Sequence, residues 1–233
     1  MIAKTISRPG EQRQGSQVAE IEARDAILQA ATLEFARLGF AGARTKAIAR
    51  AARVNIALLY YYFKTKERLY EAVLEQVFAE WARRVSLGMG AADAPARRLR
   101  NYLENFFDFV AELPVRPRLV QQEMMQLGHL GSASFKRLAT TYARPVHRAL
   151  LQLLEEGHKT GQFRKVSPDF ILTISAVIVM YFTSSAYIEA VNGYDPLSSQ
   201  RVAARRKAVL ETIGAALFTA KGRRASLRRG TVQ

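Results

Sequence analysis

The sequence has no cysteine. That excludes disulfides, thiol nucleophiles and cysteine-ligated zinc or iron–sulfur centres. Three histidines leave little material for a histidine-rich metal site, and no metal or other cofactor is expected. Acidic side chains are scarce: 20 Asp and Glu stand against 35 Lys and Arg, for a formal net charge of +15. No carboxylate pair stands out for acid–base work. No G-x-S-x-G, H-E-x-x-H or glycine-rich phosphate loop is present either, so an enzyme is not expected. The first residues carry no apolar run of the signal-peptide kind, which makes a reduced cytoplasm the expected compartment.

What is present is a chain of 233 residues, 49% hydrophobic and 24% charged. That is enough apolar material for a real core and excludes a wholly disordered chain. The basic excess is uneven. Residues 1–66 hold 11 Lys and Arg against 5 Asp and Glu, residues 67–200 hold 15 against 14, and residues 201–233 hold 9 against 1. A near-neutral middle suits a core-forming or ligand-binding domain. Basic ends suit a polyanion, of which nucleic acid is the commonest.

Apolar spacing of three and four residues recurs along most of the chain. It predicts about nine helices, at roughly 20–39, 45–52, 56–63, 66–87, 95–112, 118–127, 132–157 (one helix bent near Pro145, or two), 168–191 and 199–220. No strand pattern and no internal repeat emerges, so the fold class is all-α. The predicted organisation is a flexible basic arm (1–18), a helix-turn-helix domain (19–66), a ligand-binding and dimerisation domain (67–220) and a basic disordered tail (221–233). Residues 170–188 form a run of 19 without a charge, close to membrane-span length. Thr173, Ser175, Thr183, Ser184 and Ser185 interrupt it, and a buried or interfacial helix is expected instead of a membrane partner. A membrane-associated helical protein, or an architectural nucleic-acid binder with no small-molecule switch, is the alternative.

Residues 45–63 read TKAIARAARVNIALLYYYF. Two short helices joined by a tight turn are the plan of a helix-turn-helix. Ile48, Ala49 and Ala52 supply packing on the first, and Val54 is expected to plug the turn. Asn55 is a good N-cap, since its side-chain oxygen can accept a backbone N–H of the next turn. Leu59 and Phe63, four apart, share the core-facing stripe of the second helix. Ala57, Leu58 and Tyr61 are thereby pushed outward, with Tyr60 and Tyr62 flanking. A tyrosine run alone would read as amphipathic packing; here it sits on a basic segment.

These residues resemble a known family. Ile27-Leu28-x-Ala30-Ala31-x-x-x-Phe35-Ala36-x-x-Gly39-Phe40 is similar to the first helix of TetR-family repressors. Ile48-Ala49-x-x-Ala52-x-Val54, then Leu59-Tyr60-Tyr61-Tyr62-Phe63-Lys64-Thr65-Lys66-Glu67-x-Leu69, is similar to the rest of that DNA-binding domain, so the resemblance spans about 23–74. It implies that Thr45 and Lys46 touch phosphate or a base edge, that Tyr60, Tyr61 and Tyr62 make base-methyl and phosphate contacts, and that Lys66 anchors a phosphate. It also implies a ligand-responsive repressor that binds a palindromic operator in double-stranded DNA as a homodimer. The chain departs from the family at Arg53, where the family commonly has Gly, and at Ala43 and Arg44, where it commonly has Thr or Ser. A side chain at 53 would bear a left-handed conformation at some cost.

The middle of the chain is rich in large apolar groups, as ligand pockets are. A small apolar or aromatic effector is expected, and Tyr102, Phe106, Gln121, Met125, His129, Tyr142 and Tyr181 are the candidate lining. Val202, Val209, Leu210, Ile213 and Leu217 form a stripe that is the candidate dimer interface. One recognition helix buries too little surface for tight specific binding, so a twofold dimer is the natural solution.

Overall fold

A computed structural model describes residues 9–90, 93–126 and 131–227. Helices dominate throughout. They are α1 (Pro9–Gly42), α2 (Thr45–Ala51), α3 (Ile56–Phe63), α4 (Lys66–Gly88), α5 (Pro95–Glu112), α6 (Val115–Gln126), α7 (Gly131–Leu138), α8 (Arg144–Lys159), α9 (Phe170–Thr183), α10 (Ser185–Asn192), α11 (Ser199–Leu217) and α12 (Ala220–Leu227). A π-helical turn, Ala139–Ala143, joins α7 to α8 without a break, so the described residues hold eleven separate helices. The expected nine are all there. The two extra arise because 168–191 divides at Ser184 and because the tail forms a helix. Among the described residues the sole β feature is one antiparallel bridge, Phe163 to Phe218.

The chain divides into two compact units, Met1–Leu74 and Glu75–Gln233, with α4 running through the boundary. In the first unit, Ile27, Leu28, Ala31 and Phe35 of α1 are buried together with Ile48, Leu59, Leu69 and Tyr70. Phe35 meets Tyr70 edge-on with ring centroids 4.9 Å apart. Each such side chain contributes about 1.5–3 kcal/mol through removal from water. Gly39 (φ 69°) breaks the helical path of α1 near its end, a conformation that costs a residue without Cβ nothing. Helix starts at Pro9, well before the expected position near Glu20, so residues 9–18 are helical and not an irregular arm. Residues 1–8 lie outside the described residues.

The second unit is built around α5. Leu99, Tyr102, Leu103, Phe107 and Val110 are buried against Leu150 and Leu153 of α8, Ile174, Ile178 and Phe182 of α9, and Val209, Ile213 and Leu217 of α11. The Arg206 guanidinium donates to both Asp108 oxygens (2.8 and 3.0 Å), tying α11 to α5. Hydrogen bonds from Arg83 and then Arg84 hold the Glu80 carboxyl down at about 2. Pro145 has no N–H to give to the preceding turn, and the helix widens into the π-turn just before it.

Two sequence expectations are corrected here. The stripe Val209, Ile213 and Leu217 is buried inside a single chain, with Val202 and Leu210 packed beside it, so it is intramolecular core and not a free dimer face. Residues 221–227 are not disordered: α12 docks beside α5, with Gly222 and Ser226 buried. A Cβ on Gly222 would run into the backbone carbonyl of Gln162. Residues 228–233 lie outside the described residues. Finally, α9 and α10 are bent by 64°, and among the described residues no single helix is long and apolar enough to cross a membrane.

Candidate nucleic-acid interface and effector cavity

Helix α2 begins at an extended Arg44 that offers no side-chain cap, as the missing Thr or Ser leads one to expect. It is held by burial of Ile48 and Ala49. The turn that follows passes through Arg53 at φ 56°, the left-handed conformation anticipated for that position. The Arg53 N–H still donates to the Arg50 carbonyl (3.1 Å) and the Val54 N–H to Ala49 (3.0 Å). Val54 is only half-buried, a partial plug. Asn55 caps α3 as predicted: its Oδ1 accepts the Leu58 N–H at 2.7 Å.

In α3 the inner residues Leu59 and Phe63 are buried, 0% and 5% exposed. Their spacing dictates the outer face. Tyr61 is 63% exposed and Tyr60 41%, Ala57 is exposed, and Ile56 and Leu58 are half-buried. The Tyr60 hydroxyl is hydrogen-bonded to Thr45 Oγ1 (3.0 Å), which joins the two helices at one end. Lys64 Nζ lies 5.2 Å from the Tyr61 ring centroid. The Tyr62 hydroxyl instead donates to the Glu20 carbonyl (3.2 Å), and burial, with the Glu20 carboxylate next, raises its pKa. Tyr62 thus braces α3 against α1. Lys66 is similarly engaged: its Nζ reaches the Ala41 carbonyl at 3.4 Å and lies 4.8 Å from the Phe40 ring centroid.

Lys46 is exposed, and so are Arg44, Arg50 and Arg53. Sequence reasoning passed over Arg44 and Arg50. The signal was legible, since Lys46 and Arg50 stand four apart on α2 and Arg53 follows in the turn. No Asp or Glu occurs between Gly42 and Glu67. Chemically, ammonium and guanidinium groups bind phosphate oxygens and fix register, while an outward apolar and phenolic helix face can read thymine methyls and groove shape.

In the second unit a cavity of about 660 Å³ opens between α4, α5, α6 and α9. Helix α4 supplies Val77, Phe78 and Trp81, and α5 supplies Phe106, Phe109 and Val110. Helix α6 adds Val120, Gln121 and Met124; α9 adds Ser175, Val179 and Thr183. Of the predicted lining, Phe106 and Gln121 are there. Tyr102 is core, its phenol pushed up by burial. Met125 is 77% exposed and does not line the cavity. Tyr142 donates to Glu75 Oε1 (3.1 Å) and Tyr181 to the Pro196 carbonyl (2.7 Å), neither on the cavity wall. His129 lies outside the described residues. Trp81 was missed as lining because its stripe with Val77 reads as plain packing.

A tri-helical unit presenting a capped, outward helix, followed by a helical unit with an apolar cavity, defines a one-component helix-turn-helix regulator. Comparison with known proteins makes this specific. Residues 27–73 match the family described as bacterial regulatory proteins, tetR family, and residues 95–213 match the tetracyclin repressor-like C-terminal domain. The chain is 32% identical over 143 residues to the HTH-type transcriptional repressor NicS of Pseudomonas putida, covering 60% of this chain and 66% of that protein. It is 30% identical over 170 residues to the HTH-type transcriptional regulator RutR of Escherichia coli, covering 72% and 77%. Among solved structures, a putative transcriptional regulator, SCO4942 of Streptomyces coelicolor, superposes with a TM-score of 0.61 at 26% identity, covering 83% of this chain and 97% of that one. KstR2 of Mycobacterium tuberculosis gives 0.63 at 18% identity, covering 84% and 95%, a likeness of fold. The chain belongs to the TetR family of transcriptional regulators.

Proposed function

We propose that this protein is a ligand-responsive transcriptional repressor, acting in the cytoplasm, that binds a palindromic operator as a homodimer and leaves it when a small molecule fills the cavity. The observation that carries the DNA-binding part is the exposure of Tyr60, Tyr61, Arg44, Lys46, Arg50 and Arg53 in a stretch of chain without Asp or Glu. Thr45, Ala57 and Leu58 complete the surface offered to the major groove, and Asn55 holds its leading end in place. With the buried α11 stripe unavailable, the dimer face falls on the outer side of α9, α10 and α11. Leu172 of α9 and Tyr187 and Val191 of α10 are exposed, as are the small residues Ala204, Ala208 and Ala215 of α11. Small residues let helices approach closely. Helix α4 is the link, for it starts at Lys66 in the DNA-binding unit and carries Val77, Phe78 and Trp81 on the cavity wall. A ligand acts only through unequal affinity for the DNA-competent and DNA-released states.

The test is selection of bound fragments from a random DNA pool. The expected product is a twofold-symmetric site with half-sites about 10 base pairs apart, whose enrichment disappears when Lys46→Ala and Tyr61→Ala are combined. An unsymmetrical consensus, or none, would contradict the proposal.

A further inference from the structure

The charge character of the cavity narrows its ligand. Among the described residues that line it, none is ionisable under ordinary conditions. Phe78, Trp81, Phe106 and Phe109 give the wall its aromatic character, with Trp81 and Phe106 edge-to-face at 5.9 Å. Four side chains carry polar atoms: Ser175, Thr183, Gln121 and Trp81, whose buried indole N–H has no hydrogen-bond partner among the described residues. The Ser175 hydroxyl donates to the Ile171 carbonyl (3.2 Å), and the Thr183 hydroxyl donates back to Val179 (3.3 Å). The Ser175 and Thr183 protons are committed to their own helix. The Gln121 carboxamide, on the exposed rim of the cavity, has no hydrogen-bond partner among the described residues. Two guanidiniums, Arg84 and Arg116, sit over the Phe109 ring at 5.8 and 4.8 Å, and Arg84 is already held by Glu80 and Glu112, both at 2.6 Å. An ion entering this cavity would lose water and gain no counter-charge from the described lining residues, a costly transfer. A volume of 660 Å³ is within the range that encloses drug-sized molecules.

We infer that the cavity selects an uncharged, aromatic-rich molecule whose single hydroxyl or carbonyl meets the Gln121 carboxamide, and that it rejects carboxylates, phosphates and ammonium ions. This rests on reading the cavity as the effector site.

The full chain is titrated without DNA, so that failure here is separate from failure of the DNA-binding reading. Three probes of one shape are used: 1-pyrenemethanol, 1-pyrenecarboxylate and 1-pyrenemethylammonium. Trp81, the single tryptophan, reports binding by energy transfer to pyrene, and equilibrium dialysis gives the stoichiometry. The alcohol is expected to bind about 100-fold more tightly than either ion. Gln121→Leu should weaken the alcohol roughly tenfold and leave 1-methylpyrene unchanged. Ala176→Phe, which fills the cavity from its α9 side, should weaken the alcohol by a similar factor. Equal binding of all three, preference for either ion, no binding of any, or an alcohol affinity indifferent to Gln121→Leu or to Ala176→Phe would each overturn the inference.

Discussion

Arg53 shows how a single residue can trade stability for contact. Its φ of 56° is one that side chains adopt at a cost of about 1 kcal/mol, and glycine at none. Yet the guanidinium is exposed in the turn just after α2, which carries Lys46 and Arg50, with no acid in that stretch of chain. Arg53→Gly should therefore raise unfolding stability by about 0.5–1 kcal/mol in urea titration. The same variant should lower the log–log salt slope of DNA binding by about 0.9, one phosphate contact. Unchanged stability would remove the strain argument, and an unchanged slope would place Arg53 off the DNA. Tyr62 and Lys66 carry the opposite lesson. The resemblance assigns both to DNA, whereas their polar atoms already engage the Glu20 and Ala41 carbonyls. A side chain's type and spacing reveal which face it occupies; they do not reveal a carbonyl 42 residues away that takes its hydroxyl.

At the scale of elements, α12 makes the sharpest case. Its Gly222 lies against the Gln162 backbone, the Thr219 N–H donates to the Gln162 carbonyl (3.0 Å), and Lys221 Nζ reaches the Thr160 carbonyl (2.8 Å). Gly222→Ala should undock the helix and cost about 2 kcal/mol or more by overpacking against backbone. The loss would be read as a lower thermal midpoint and as new proteolytic cleavage within 220–227. Wild-type resistance and stability in the variant would show that α12 does not dock. This helix was not legible from sequence because charge dominates 221–229, while docking depends on Gly222 and Ser226, small residues with no periodic signal. By contrast α2 and α3 were legible in detail. Asn55 announces its cap, Leu59 and Phe63 announce the inner face, and those three residues orient every other side chain of α3. The α11 stripe was legible as buried, but spacing cannot say whether the covering surface belongs to the same chain or to a second copy. Cavity lining was partly legible for a like reason: Phe106 and Trp81 obey the same periodicity as Tyr102, and only packing separates wall from core.

At the scale of the whole molecule, the two units carry different chemistry. The first offers exposed cations and phenols on α2, α3 and the turn between them; the second holds a cavity whose described lining residues carry no charge. Helix α4 is common to both. Repression and its relief then need only one continuous element to differ between two states. The claim on which this depends is that α3 enters the major groove, twice, in register with the duplex. Dimethyl sulfate protection on the selected operator tests it most directly, because the reagent reports guanine N7 in the major groove and adenine N3 in the minor groove. The account predicts two symmetric patches of protected guanine N7, about 10 base pairs apart, both lost in Tyr61→Ala combined with Lys46→Ala. Protection confined to adenine N3, or a single unsymmetrical patch, would contradict it.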